Sequence, residues 1–111
     1  MAKVYQEENS IFSSNGKSYD LNAIFKMVAN QPVEQIAVNK LIWMLEFTGD
    51  DYDRQRVEDS DIKVPVLVTL HEGKELVIDG YHRLLKALKK HVKVLPYKRV
   101  TPEQMKQALF K

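Results

Sequence analysis

The chemistry this chain offers most plainly lies in five consecutive residues, Asp79-Gly80-Tyr81-His82-Arg83. A short apolar strand, Val77-Ile78, runs into Asp79-Gly80, and a helix starts at once. Leu84, Leu85 and Leu88 recur at spacings of three and four and so share one face of that helix. The first turn of a helix has unpaired N–H groups and a partial positive charge, and such an end binds anions, phosphate above all. Gly80 allows the sharp turn and lets another group come close to the backbone. His82 and Arg83 add donors within the turn, and Arg83 suits paired charge-assisted bonds to phosphate. Asp79 stands just before it, as an N-cap, a ligand for Mg²⁺, or a base that orients a substrate hydroxyl. Each residue also has a plainer role: His82 bonding to a neighbouring loop, Arg83 salt-bridged to Asp79 or another carboxylate. Taken together, the five point to phosphate.

The same five residues resemble the signature of the ParB/sulfiredoxin superfamily, in which a Gly-x-His-Arg or Gly-Glu-Arg-Arg turn opens a helix and holds nucleotide phosphates. The Asp-Gly-x-His-Arg form is most similar to the free-serine kinase branch, and the resemblance runs from about Gln35 to Phe110. It implies ATP or CTP with Mg²⁺, the phosphates at Gly80, His82 and Arg83, and Asp79 as metal ligand and catalytic acid group. The kinase branch also uses a Glu after the first conserved strand. Glu46 lies in the matching region, but Leu45 stands where a His usually precedes that Glu. In partition-type relatives an Arg from the segment holding Arg54 and Arg56 helps at the nucleotide site. Sulfiredoxin chemistry needs a Cys between the Gly and the His; Tyr81 stands there and the chain has no Cys. A chromosome-partition protein needs a helix-turn-helix DNA reader and a dimerisation tail, for which 111 residues leave no room.

Three functions therefore stand side by side. One is a nucleotide-dependent phosphotransferase or nucleotide hydrolase. The second is a non-catalytic module that regulates a protein or DNA partner. The third is a DNA-binding or nuclease-like protein. Charge bears on the last: residues 83–111 carry nine Lys/Arg against Glu103 alone, a balance of +8, while residues 1–82 carry −6. A basic C-terminal third suits an anionic partner. However, Tyr97 is the only Trp or Tyr among these basic residues after Tyr81, and no base-reading element is recognisable. Lys86, Lys89 and Lys90 also read as an ordinary solvated helix face.

Length and composition suit one small domain spanning 1–111, with a core of its own and polar residues 1–9 expected to fray. The absence of Cys, of an apolar leader and of any membrane-length apolar run makes the cytoplasm the expected home. The elements that must position the motif follow from the pattern. Ile11-Phe12, the Asn15-Gly16 turn and Lys17–Tyr19 read as a hairpin. Asp20 caps a helix through Val28 with Leu21, Ile24, Phe25 and Val28 on one face. Glu34–Val38 is a strand. Leu41–Leu45 is apolar throughout, so periodicity leaves a buried helix or a strand open there; the resemblance favours a helical turn or short helix around Lys40–Phe47, with Trp43 in the core. Asp50, Asp51 and Asp53 lie in an acidic loop that lacks the Gly and distal Glu of a calcium site. Val64–Leu70 and Glu75–Ile78 are strands joined by a turn at His71-Glu72-Gly73-Lys74, with Pro65 at the start of the first. The motif helix runs to about Lys90, Val92–Val100 is the last strand with Pro96 at a bulge or edge, and Thr101-Pro102-Glu103-Gln104 opens a capped final helix. The expected fold class is α+β: a small mixed sheet with packed helices.

Overall fold

The structure, a computed structural model, describes residues 11–14, 16–45 and 53–110. Within them the order is β1 (Ile11–Ser14), β2 (Lys17–Asp20), α1 (Leu21–Val28), β3 (Glu34–Ala37), two 3-10 turns (Val38–Lys40 and Ile42–Met44), α2 (Arg54–Asp59), β4 (Val66–His71), β5 (Lys74–Asp79), α3 (Tyr81–Lys89), β6 (Val94–Val100) and α4 (Pro102–Gln107). The fold is α+β, as the pattern predicts, but the strands form two sheets. The β1–β2 hairpin stands apart, and the four-stranded sheet has the order β3-β6-β4-β5. Only β4 and β6 run parallel; the other pairs are antiparallel.

Side chains alternate across a strand, so Val66 and Val68 face one side of β4 and Leu67 the other. The first side meets α3 and the 3-10 turns: Leu84 and Ala87 pack there with Ile36, Leu41, Val68 and Leu95. The second side meets α1 and α4, where Leu21, Ile24, Val28 and Met105 cover Leu67, Ile78 and Val100. Both faces of the first half of β4 are thus buried, which is why Val66-Leu67-Val68 is continuously apolar rather than alternating.

Local signals set several boundaries. The Asp20 carboxylate caps α1 by accepting from the N–H groups of Asn22 (3.0 Å) and Ala23 (3.3 Å). Thr101 and Gln104 form a reciprocal capping box at α4, with Pro102 in the first turn. Gly16 takes a φ of 77° in the hairpin turn, while its neighbour Asn15 lies outside the described residues.

The structure departs from the sequence pattern at several points. The Lys40–Phe47 run forms 3-10 turns, not one helix, as far as it is described; Trp43 is half-buried and its indole N–H reaches the Glu75 carbonyl at the sheet margin (2.7 Å). Residues 54–59, for which the sequence pattern offered no element, form a helix capped by Asp53, whose carboxylate accepts from the N–H groups of Gln55 and Arg56. Phe25 turns outward, 41% exposed, while the rest of its apolar face is buried. Pro96 sits in an interior strand, not at an edge. It lies one residue before the β4 ladder opens at Val66 against Tyr97, where a missing N–H costs no rung on that side.

Candidate functional site

A β-bulge aims the motif. On β5, Asp79 pairs with Leu67 and Val77 with Val68, so Ile78 is an extra residue and the register shifts. Bulges bend a strand and re-aim a side chain. Here the bend turns Asp79 towards α3, where its Oδ2 accepts from the Arg83 guanidinium at 3.1 Å, one helical turn on. Asp79 is therefore not the N-cap.

Gly80 takes that place, with φ 111° and no side-chain capping bond. A Cβ on Gly80 would lie 2.5 Å from Cγ1 of Val66 and 3.3 Å from its Cα. The close approach that demands glycine is thus to strand β4. The first intrahelical bond runs from the Leu84 N–H to the Gly80 carbonyl (3.0 Å). The N–H groups of His82 and Arg83 precede it, and the positive end of the α3 dipole faces outward at the turn.

Arg83 is committed to structure. Besides Asp79, its guanidinium donates to the carbonyls of Pro65 (2.6 Å) and Val64 (3.1 Å), and its side chain is only 18% exposed. It staples the start of α3 to the residues leading into β4. The plainer role weighed for this residue, a salt bridge to Asp79, is thus the one the fold shows, with two backbone carbonyls added.

The turn opens onto a cleft of about 460 Å³. Asp79, Gly80, His82 and Arg83 of the turn and Arg56 and Ser60 of the α2 segment line it together. Ile11, Phe12, Leu21 and Met44 close its apolar end. Of the two candidate arginines 54 and 56, it is Arg56 that reaches the motif. Its charge is felt there: burial first, then the nearby Arg56 guanidinium, hold the His82 imidazole below its ordinary pKa, with the Asp53 carboxylate opposing. His82 is consequently a neutral ring at neutral pH, edge-on to Tyr81 with ring centroids 5.7 Å apart.

The position of Arg56 depends on lysines that the sequence presented as a solvated face. Lys86 donates to the carbonyls of Glu58 (2.7 Å) and Ser60 (2.6 Å), closing the C-terminal end of α2, and Lys89 pairs with the Glu58 carboxylate. That pairing holds Glu58 below the usual carboxylate range. Lys98 likewise donates to the carbonyls of Val28 and Ala29, both at 3.0 Å, at the end of α1. Arg99 makes a two-point pair with Glu75 and lies 5.4 Å from the Tyr97 ring centroid. Much of the basic C-terminal third is therefore internal fastening.

Glu46, the second catalytic candidate, lies outside the described residues, as do Asp50 and Asp51. No group of three or more His, Cys, Asp or Glu gathers in metal-binding range among the described residues. No helix among the described residues is long and apolar enough to cross a membrane.

Comparison with solved structures places a fold name on this arrangement. The sulfiredoxin of Arabidopsis thaliana is similar, with a TM-score of 0.50 and 16% identity over 69% of this chain and 96% of that one. At such identity the likeness is one of fold: the chain has a sulfiredoxin-like fold. No family model matches the chain, and no curated protein matches it at a significant level.

Proposed function

We propose that the cleft beside α3 binds a nucleoside phosphate. The observation that carries this reading is the turn itself. An α-helix of nine residues opens without a side-chain cap, its positive end facing a cleft that Arg56 lines alongside His82. Anions bind at such ends through backbone N–H groups and the helix dipole. The apolar end formed by Ile11, Phe12, Leu21 and Met44 favours a ligand with a ring system attached to its phosphates over inorganic phosphate. On this reading Arg56 is the cation that meets the phosphates, and His82 is a hydrogen-bonding ring beside it. Arg83 contributes its N–H and its charge while its guanidinium holds the turn in place.

ATP or CTP is the ligand class proposed, with Mg²⁺ supplying charge neutralisation and Asp79 the carboxylate nearest to hold it. Phosphoryl transfer or nucleotide hydrolysis would draw on Asp79, with Glu46 as a second acid group, and would depend on positioning and charge more than on covalent chemistry. A regulatory module that binds the nucleotide without turning it over is the second reading. It is favoured by Asp79 being engaged by Arg83 rather than standing as an open base.

Calorimetric titration with ATP, ADP and CTP, with and without Mg²⁺, tests the proposal on wild type, Arg56→Ala and His82→Asn. Binding weakened by about tenfold or more in Arg56→Ala is the expected result, since charge-assisted contacts of this kind contribute about 1.5–3 kcal/mol. Absence of binding at millimolar nucleotide overturns it. Where binding is found, release of phosphate or nucleoside diphosphate that is lost in Asp79→Asn separates the enzyme from the module.

A further inference from the structure

A second cavity, of about 320 Å³, lies away from the α3 turn, between the β1–β2 hairpin, the β4–β5 tip and α4. Its walls are apolar: Phe12, Tyr19, Leu76, Met105 and Leu109. Phe12 and Tyr19 form a tilted ring pair 6.0 Å apart on the hairpin side. Leu70 extends the apolar surface outward and is 51% exposed. Thr69 is the polar residue of the floor, and its hydroxyl is already spent on the Val100 carbonyl (2.7 Å). The Thr69 hydroxyl is thus occupied, and the cavity offers chiefly shape and apolar contact.

The charged groups that line it are of one sign. Lys17 comes from the hairpin and Lys106 from α4, with the His71 ring of the β4–β5 tip also in the lining and no carboxylate among the lining residues. Lys17 and Lys106 are exposed and make no ion pair with a described residue; His71 faces Glu72 at 3.3 Å across the turn. Fifteen acidic residues are spread over the chain, so a cavity with two lysines and no carboxylate in its lining has a definite electrostatic preference. Low-dielectric walls concentrate that preference at the mouth.

We propose that this cavity binds a small amphiphilic anion: a carboxylate carried on an aryl or short alkyl body. The body fills the apolar depth against Phe12 and Tyr19, where ring packing is favourable. The carboxylate stays at the mouth between Lys17 and Lys106. The volume is at the lower end of small-ligand cavities, which selects such a molecule over a peptide chain. This assignment does not rest on the nucleotide reading: Phe12 lines both cavities, but the charged groups here are Lys17 and Lys106 rather than Arg56.

The test uses phenylbutyrate and its cationic counterpart phenylbutylamine as probes on the full chain, followed by amide chemical-shift mapping. Saturable shifts are expected for residues 17–19, 69–71 and 105–109, with a Kd on the order of 1 mM, as ligand efficiency gives for a molecule of this size. The charge-reversed Lys17→Glu/Lys106→Glu variant changes two exposed positions and should keep its fold while weakening phenylbutyrate by about tenfold or more. The amine should bind the variant better than the wild type. Three results overturn the proposal: no saturable shifts at about ten times that Kd, equal binding of the two probes to the wild type, or shifts confined to the cleft beside α3. Binding of an acidic, apolar peptide at this face with none of phenylbutyrate also overturns it, and assigns the groove to a protein partner.

Discussion

At Gly80, His82 and Arg83, chemistry and scaffolding share a single turn. Gly80 is fixed twice over, by a φ of 111° and by Val66 standing where a Cβ would go. Gly80→Ala should cost about 3 kcal/mol, from positive-φ strain and overpacking together. In a domain of this size that lowers the thermal midpoint by more than about 10 °C, measurable by calorimetry. Arg83→Ala removes three hydrogen bonds from a mostly buried guanidinium. A loss of about 2–3 kcal/mol is expected, and urea denaturation should show it with or without nucleotide. His82 makes the contrasting case. Its folded pKa lies below that of the unfolded chain, so the unfolded state gains the proton first as pH falls. Stability should therefore decline as pH drops through the ordinary imidazole range near 6.5, and His82→Asn should flatten that decline. An anion bound at the turn favours the imidazolium, so the His82 pKa, followed by NMR, should rise on adding nucleotide. A pKa that does not move would exclude contact between His82 and the phosphates.

At the scale of elements, the motif depends on α2 being held against α3. Lys86 does this through two carbonyls at the end of α2, and Lys89 through the Glu58 carboxylate. Lys86→Met keeps the length of the side chain and removes its donors. Amide exchange in residues 54–60 should accelerate by about fivefold to tenfold, matching the loss of about 1 kcal/mol of hydrogen bonding, while the sheet amides stay protected. Equal protection in the variant would mean that the Lys89–Glu58 pair and the packing of Val57, which is 4% exposed, hold α2 without Lys86. The helix was not legible in the sequence because Arg54–Asp59 is six residues long and carries one apolar position. A helix that short has no periodicity to detect; its one readable signal was Asp53, whose capping role competed with its place in an acidic cluster. The 3-10 turns were hidden for the opposite reason: Leu41–Leu45 is apolar throughout, and a run without polar positions has no period.

Over the whole molecule, two buried layers enclose the sheet, and the margin of the first is closed by polar contacts. There Glu75, held below the usual carboxylate range first by its hydrogen bond to Arg99, joins β5 to β6 across β4. The same pair raises Arg99 further above its already high value. The stability Glu75 contributes is present above the carboxylate value of 4.5 and is lost as pH falls through its lower folded value. Glu75→Gln should therefore reduce stability by about 1 kcal/mol at neutral pH, the pair being partly exposed, and make little difference at strongly acid pH. Equal destabilisation at both pH values would show a packing defect rather than a lost charge.

The sequence by itself determined what is local. The Asp20 cap, the Thr101–Gln104 capping box, the strand–turn–helix course of Val77 to Leu88 and the α+β class all follow from interactions within a few residues, which short-range chemistry dictates. Tertiary structure decided what depends on distant partners. Whether Arg83 meets a ligand or the Val64 and Pro65 carbonyls, and whether Gly80 makes room for phosphate or for Val66, turned on where β4 lies. Which arginine reaches the cleft turned on how α2 packs. The basic C-terminal third shows the same division: its charge was plain in composition, but a lysine's role depends on which carbonyl lies within reach of its Nζ, and only the packed chain sets that distance.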